Sequence, residues 1–209
     1  MLCGSKELLT EYSVCYITIV IKKEIVMPPK VKINEQMILD AAFDIVQNCG
    51  VEKLTARAIS KKLNCSTQPV LYHFSTIEEI KKAVYERADQ YHTNYIMPKG
   101  IKNMSPFMEL GLNYIRFGYE ERILFRFLFQ TNQFTGFRFD DLMDNPELHE
   151  MLGMVSSETG CEEQDAKEIF LNLFVCAHGC ASLLANNAME YEEERFEKIL
   201  LNSFQNIMK

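Results

Sequence analysis

The segment from Leu54 to Phe74 constrains the fold of this chain more than any other. It contains two short stretches with apolar residues at helical spacing, separated by the break Asn64-Cys65-Ser66. Thr55 and Ser66 precede the two stretches, and their hydroxyls can accept hydrogen bonds from unpaired N–H groups of a first helical turn. Pro69 falls in the first turn of the second stretch, where a missing N–H costs little. The pattern predicts a helix-turn-helix, which can present the start of its second helix to the major groove of DNA.

Beyond residue 30 the sequence predicts an all-α fold. Apolar residues recur at helical spacing, and strand-like alternation is nearly absent. With 6 Pro and 9 Gly in 209 residues, few segments can be irregular, and 47% hydrophobic residues suffice for a sizeable core. No uninterrupted apolar run reaches about 18 residues, so no membrane span is predicted.

The net charge of −7 is unevenly distributed along the chain. Residues 28–92 carry 9 Lys/Arg against 8 Asp/Glu, whereas residues 93–209 carry 10 against 18. A non-specific DNA coater would need a broad basic face. This distribution instead suits a protein that contacts a few phosphates at a defined site and keeps its acidic bulk away from the duplex.

The cysteine content indicates a reducing compartment. An odd number of cysteines, 7 in 209 residues, does not suggest a disulfide framework. We therefore predict reduced thiols and a cytoplasmic location.

The first 29 residues form a predicted N-terminal extension. Residues 14–21 are an apolar run followed by Lys22 and Lys23, but a basic n-region and a small-residue cleavage site are missing. An edge strand, a disordered extension and a start codon upstream of a true start at Met27 all remain open.

The remaining helices are predicted from capping signals. Asn34 can cap a first helix that Gly50 ends, and the Ser75-Thr76-Ile77-Glu78 stretch has capping-box spacing at the start of a long helix stopped by Pro98. Further helices are predicted downstream, for a total of about nine. Their predicted bounds are Ser105-Pro106 to Tyr119, Glu121 to Asn132, Asn145-Pro146 to Gly160, Glu162 to Asn187, and Glu192 to Met208.

These segments resemble the TetR family of bacterial transcription regulators over roughly residues 33–209. The residues that carry the resemblance are A-A-F-D-I-V from Ala41, G-V-E-K-L-T-A-R-A-I-S from Gly50, C-S-T-Q-P-V-L-Y-H-F from Cys65 and E-E-I from Glu78. The resemblance implies a homodimer that binds a near-palindromic operator. It also implies four parts: an extension over 1–29, a three-helix DNA-binding domain over 30–75, a connecting helix over 76–98, and a helical effector-binding and dimerisation domain over 99–209.

The resemblance also implies which residues contact DNA. Thr67, Gln68 and Tyr72 correspond to base-facing positions, and Pro69 can pack on a thymine methyl group. The other implied contacts, to a phosphate or a guanine, come from Thr55, Arg57, Lys61, Ser66, Tyr72 and His73. The ordinary alternatives stay open: a solvated helix start for Thr67 and Gln68, a surface ion pair for Arg57, a packing histidine at His73, and a solvated lysine pair at Lys61-Lys62.

Two positions depart from the family pattern. Leu71 stands where the family commonly has an aromatic residue, and Ile77 stands where it commonly has Lys. Both departures remove possible phosphate contacts, whereas Val70 and Phe74 keep the spacing that packs the second helix on the first.

Residues 107–139 are dense in aromatic side chains, which suggests a core or an apolar ligand cavity. Phe125, Phe127 and Phe129 alternate within one helix, so some must reach a second surface, either a cavity or a dimer partner. We predict a small hydrophobic or amphipathic effector, and its candidate contacts are Asn113, Tyr114, Arg116, Phe117, Phe125, Phe129, Gln130 and His178.

Cys176, His178 and Cys180 form the other cluster of reactive residue types. Cys176 and Cys180 share a helix face and His178 points elsewhere, so the three cannot easily chelate one metal, and no metal or cofactor is predicted. Close packing by Ala177, Gly179 and Ala181 indicates instead a homodimer interface formed by the helices near 162–187 and 192–208.

The sequence thus predicts a ligand-responsive, sequence-specific DNA-binding repressor without enzymatic activity. It contains no common nucleotide-binding, zinc-protease or serine-hydrolase motif. Two alternatives remain: a helical carrier or enzyme that uses the aromatic cavity, and a thiol-based metal or redox sensor that uses Cys176 and Cys180.

Overall fold

The computed structural model describes residues 32–100, 104–131, 145–187 and 189–209. These residues form nine α-helices and no strand, and those from Ile33 onward belong to one compact unit. The all-α prediction is therefore confirmed. The extension over 1–29 and Phe134, Phe137 and Phe139 lie outside the described residues. The helices are α1 Glu35–Cys49, α2 Ala56–Lys62, α3 Thr67–His73, α4 Ile77–Ile96, α5 Pro106–Glu120, α6 Arg122–Phe129, α7 His149–Thr159, α8 Glu163–Asn186 and α9 Glu193–Ile207.

Helix α1 begins and ends where its sequence signals predict. The Asn34 side chain accepts a hydrogen bond from the Met37 N–H at 2.9 Å. At the other end Gly50 adopts a φ of +89° and donates its N–H to the Val46 carbonyl at 2.9 Å. A side chain at position 50 would be strained, because this φ favours glycine.

The helix-turn-helix is formed by α2, a tight turn and α3. Thr55 caps α2 as predicted, since its hydroxyl accepts from the Ala58 N–H at 3.0 Å. Ser66 occupies the corresponding position before α3, but its side chain makes no capping hydrogen bond, so that part of the prediction is wrong. The turn is closed by the backbone instead: Asn64 adopts a left-handed φ of +51°, and the Cys65 N–H donates to the Ser60 carbonyl at 2.9 Å.

The capping box before α4 is shifted by one residue from its predicted position. Thr76, not Ser75, caps the helix by accepting from the Glu79 N–H at 3.2 Å, and the Glu79 carboxylate accepts from the Ser75 N–H at 2.8 Å. The helix ends at Ile96, two residues before Pro98.

Helix α5 is the centre of the bundle and is buried on nearly all sides. It packs against α4, α6, α7, α8 and α9, and its most extensive contact is with α8. Gly118 allows that contact, because a Cβ there would lie 2.7 Å from the Ala181 Cβ and 2.8 Å from the Ala181 carbonyl oxygen. Ala177 and Ala181 are buried within the chain, so these small residues serve packing inside the subunit, whereas Gly179 is exposed.

Two buried polar side chains of α5 hold the end of α4. The Glu109 carboxylate accepts from the N–H groups of Lys99 and Gly100 at 3.0 and 3.2 Å. One turn later, the Asn113 amide donates to the Ile96 carbonyl at 3.2 Å. The Asn113 bond satisfies a carbonyl that the end of α4 leaves unpaired, and the Glu109 bonds hold the segment that follows α4.

Helix α8 is the one described helix long and apolar enough, by length and composition, to cross a membrane. It packs against α5, α6, α7 and α9, and this packing accounts for much of its apolar character. A core helix of a bundle passes the same test, so the property is weak evidence for a membrane span.

The close approach of α5 and α8 makes a testable prediction. Replacing Gly118→Ala forces the two helices apart, and we expect it to lower the free energy of unfolding by about 1–3 kcal/mol. Gly153→Ala is the matched control, since Gly153 is exposed in α7 and no atom lies within 4 Å of the place that a Cβ would take; it should raise stability by about 0.5–1 kcal/mol. Urea unfolding measures both, and a Gly118→Ala protein as stable as the wild type would contradict the assigned packing.

Candidate nucleic-acid interface and ligand cavity

None of the nine predicted DNA-contacting residues is buried. Thr55, Arg57, Lys61, Ser66, Gln68 and Tyr72 are exposed, while Thr67, Pro69 and His73 are half-buried. Tyr72 is 84% exposed and the neighbouring Leu71 54% exposed. Exposed apolar or aromatic side chains of this size indicate a contact surface.

The opposite side of α3 fixes its orientation. Val70 and Phe74 are buried, and Ile59 of α2 is buried with them in the same core. His73 Nε2 lies 3.2 Å from the Ile33 carbonyl oxygen, which ties the end of α3 to the start of α1. His73 therefore takes part in holding α3 against α1.

The adjacent lysines at the end of α2 differ in their partners. Lys62 forms an ion pair with Asp44 of α1. Lys61 is exposed and has no ion pair within the described residues, and the same holds for Arg57 at the start of α2. Lys61 and Arg57 are thus the cations of the helix-turn-helix that are available to a phosphate.

A cavity of about 600 Å³ lies between α4, α5, α7 and α8, with Phe129 at the end of α6 also contributing. This volume is typical of small-molecule sites. Its apolar lining includes Ile96, Phe107, Leu110, Tyr114, Phe129, Met151, Phe170, Leu173 and Phe174. Its polar lining consists of Tyr85, Asp89, Gln90, His92, Thr93, Asn94, Asn145 and Glu150.

Of the predicted effector contacts, the structure brings Tyr114 and Phe129 to the cavity. The others have roles elsewhere. Asn113 bonds the Ile96 carbonyl, Phe117 and Phe125 are fully buried in the core, and Arg116 pairs with Glu193. Gln130 donates to the Ser182 hydroxyl at 3.3 Å, and His178 lies behind Tyr114, with its Nδ1 2.9 Å from the Tyr114 hydroxyl.

The alternating phenylalanines of α6 do face two ways. Phe125 and Phe129 pack against Tyr114, with ring centroids 6.1 and 5.8 Å from it. Phe127 is also buried but contacts Tyr85 of α4 at 5.7 Å. The second surface that the sequence required is therefore a helix of the same subunit.

His92 is a buried polar residue of the cavity lining that the sequence analysis missed. It is 7% exposed, and its ring packs edge-on against Tyr114, Phe117 and Phe129 at 5.4, 4.8 and 5.1 Å. Its Nε2 is buried without a hydrogen-bond partner among the described residues. A signal was present, since His92 continues the four-residue spacing of the buried stripe Ile80, Val84, Ala88, His92 and Ile96.

Burial determines the charge state of His92. Removal of the ring from water disfavours its charged form and lowers the pKa of His92 to about 3. The imidazole is therefore neutral around neutral pH, and it can offer a ligand one donor and one acceptor.

Hydrogen bonds connect the region of the cavity with α1. The Glu121 carboxylate, between α5 and α6, accepts from Gln47 of α1 at 3.0 and 3.1 Å and from the Tyr91 hydroxyl at 2.7 Å. Burial, together with the hydrogen bond to Glu121, raises the pKa of Tyr91 to about 12, so this hydroxyl stays protonated and can donate. Tyr91 and the cavity residue His92 are neighbours on α4.

Solved structures of known proteins share this architecture. A TetR-like transcriptional regulator from Rhodococcus sp. RHA1 superposes with a TM-score of 0.58 over 87% of this chain and 98% of its own length, at 21% identity. A second transcriptional regulator from that organism gives 0.58 over 83% and 95%, at 16% identity. This chain has the TetR fold. A TetR variant from Acinetobacter baumannii AYE, solved in complex with minocycline, gives 0.52 over 85% and 96%, at 14% identity. No protein-family model and no curated protein matches the sequence.

Within this TetR fold the cysteines of α8 occupy a packing environment. The Cys176 thiol lies 3.3 Å from the Ser203 hydroxyl of α9. Burial, with a contribution from Cys176, raises the pKa of Cys180 to about 11, which makes its thiol a poor nucleophile at neutral pH. Among the described residues, no group of three His, Cys, Asp or Glu side chains is arranged to hold a metal ion.

The neutral His92 predicts an acid-sensitive term in the stability of the fold. Its pKa is about 3 in the folded protein and about 6.5 in an unfolded chain, so below about pH 6.5 the unfolded state binds more protons. The contribution of the neutral His92 to the free energy of unfolding should be complete above that pH and should fall as the pH decreases, by about 2 kcal/mol at about pH 5. His92→Phe removes this term.

Urea unfolding of the wild type and of His92→Phe between about pH 7.5 and pH 5 measures the difference. His178, whose pKa burial also lowers, is present in both proteins and cancels in the comparison. Parallel losses of stability in the two proteins would contradict a neutral, buried His92.

Proposed function

We propose that this protein is a homodimeric, sequence-specific DNA-binding transcription regulator of the cytoplasm, and a repressor that a small hydrophobic or amphipathic effector releases from its operator. The observation that carries this proposal is the exposure of one side of α3, with Gln68 and Tyr72 in solvent while Val70 is buried on the opposite side. The TetR fold and the bound minocycline in one solved neighbour support the same proposal.

The exposed residues of α3 suit contact with base edges. A glutamine amide can donate to and accept from the adenine edge in the major groove, and the Pro69 ring can pack on a thymine methyl group. Lys61 and Arg57 on α2 can add phosphate contacts, which fix the register of α3 without reading sequence. These roles distinguish a sequence-reading helix from a cationic surface.

Exposed apolar side chains support a dimer through α8 and α9. Among the described residues outside the helix-turn-helix, the exposed large hydrophobic side chains are Val175, Leu183, Met189, Leu201 and Met208. All lie on these two helices or beside them, and an apolar patch of this kind on a monomer marks a contact surface. In the proposed dimer the two α3 helices sit about 34–36 Å apart, one turn of duplex, to enter successive major grooves.

Helix α4 is the proposed link between effector and DNA. Its His92 lines the cavity, whereas the adjacent Tyr91 shares the Glu121 carboxylate with Gln47 of α1. An effector that shifts α4 therefore shifts α1 and changes the spacing of the two α3 helices. The effector thereby weakens operator binding. By linkage, operator DNA weakens effector binding equally, with a coupling free energy that is typically about 1–3 kcal/mol.

The test starts from selection of bound duplexes out of random DNA, followed by titration of the selected operator. We expect Gln68→Ala to lose about 1–3 kcal/mol of binding free energy on the selected operator. The loss should be small on operators in which the base pair that Gln68 contacts has been changed. Lys61→Ala should weaken binding to all sequences alike and reduce the salt slope by about 1 per subunit. Lys62→Ala is the matched control, because its ammonium group is engaged by Asp44 and a smaller effect is expected.

Identical behaviour of the Gln68 and Lys61 variants would contradict the assigned roles. A wild-type protein that enriches no duplex at all would reject the DNA-binding function and favour a helical carrier, since the cavity would then be its principal feature.

The proposed dimer interface predicts a change of mass. Leu183→Glu places a charge on the exposed apolar face of α8, and we expect it to shift the protein from dimer to monomer because an unpaired charge would be buried in the interface. Gln164→Glu adds the same charge at an exposed position near the start of α8 and should leave the dimer intact. Sedimentation equilibrium distinguishes the two, and a dimeric Leu183→Glu protein would place the interface elsewhere.

A further inference from the structure

One polar residue of the cavity lining, His92, is surrounded by aromatic rings. His92 projects from α4 among Tyr114, Phe117 and Phe129, whose ring centroids lie within 5.4 Å of its own. It is more than nine-tenths buried, and its Nε2 has no hydrogen-bond partner among the described residues. Buried polar atoms are nearly always paired, so an unpaired one on a residue that lines a cavity indicates a missing partner.

The aromatic neighbours do not supply that partner. The Tyr114 hydroxyl is directed away, to His178 Nδ1 at 2.9 Å, and phenylalanine rings offer no conventional donor or acceptor. His92 is also out of place in its stripe, because the residues one turn before and after it, Ala88 and Ile96, are apolar and buried. A purely structural position here would be satisfied by an apolar side chain.

The charges of the lining restrict the ligand. The described lining residues include the carboxylates Asp89 and Glu150 but no Lys or Arg. A ligand anion would lose its hydration without gaining a cation, which is costly in an apolar site. A hydroxyl group, by contrast, can donate to or accept from Nε2, so it suits either tautomer of a neutral imidazole.

We propose that the cavity takes a largely apolar molecule that carries no negative charge and bears a hydroxyl group, such as a phenol, and that His92 Nε2 hydrogen-bonds this hydroxyl. This inference rests on the proposed function only for what binding does to DNA. The binding step itself concerns the free protein.

The experiment measures binding of three probes of one shape to the full chain by isothermal titration calorimetry. The probes are para-butylphenol, butylbenzene and para-butylbenzoate. We expect para-butylphenol to bind about tenfold more tightly than butylbenzene, the gain typical of one buried hydrogen bond. Para-butylbenzoate should bind more weakly than the phenol.

Variants assign the preference to one atom. His92→Phe should bind the phenol and the hydrocarbon about equally, whereas His92→Gln, which keeps a donor and an acceptor, should retain most of the preference. Glu86→Gln is the matched control, because Glu86 is an exposed polar residue of the same helix outside the lining, and its loss should leave the preference unchanged.

The inference is overturned if the wild type binds phenol and hydrocarbon equally, if it prefers the benzoate, if no probe binds, or if His92→Phe keeps the preference. The wild-type comparison alone decides the matter should His92→Phe not fold. Operator binding, measured on the same preparation without probe, reports separately on the proposed DNA-binding function.

Discussion

The contact between α5 and α8 supports the rest of the bundle. Helix α5 is surrounded by five other helices, and such a position requires small residues wherever a neighbour comes close. At Gly118 the backbone of α8 occupies the space that a side chain would need. This approach helps to set the separation of the two helices that, with α4 and α7, enclose the cavity, so the shape of the cavity depends in part on the absence of a side chain at Gly118.

Polar residues on the same central helix have a different task. Glu109 and Asn113 are buried, yet both are hydrogen-bonded to backbone groups, Asn113 to the last residue of α4 and Glu109 to the segment just after it. Their hydrogen bonds fix where α4 stops relative to α5. The position of α4 matters because its sides make two sets of contacts, one with the cavity and one with α1 through Tyr91 and Glu121. Packing and hydrogen bonding thus meet on the helix that connects the two proposed activities.

Much of the fold was predictable from the sequence, because helix starts and stops depend on local chemistry. Asn34, Gly50 and Thr55 act within three or four residues of themselves, and the structure confirms each. The Ser66 cap failed because the turn closes through backbone bonds at Asn64 and Cys65, which a residue type does not reveal. The capping box slipped by one residue because Ser75 and Thr76 have nearly the same chemistry.

The candidate ligand site was less predictable, since a cavity is formed by segments that are distant in sequence. Residue type suggested Asn113 and His178 as polar contacts, but their hydrogen-bond partners lie 17 and 64 residues away in sequence, and neither residue belongs to the lining. His92 was detectable in principle as a polar residue in an apolar stripe. A stripe alone, however, does not tell a packed core from the wall of a cavity.

The unpaired nitrogen of His92 has a further consequence for the life of the protein in a cell. An empty cavity leaves the fold with an unmet polar group, and a molecule that meets it stabilises the native state by mass action. The ligand-free protein then unfolds more readily than the ligand-bound protein and is degraded sooner. Abundance would follow ligand supply, and the cavity would set the lifetime of the protein as well as its conformation.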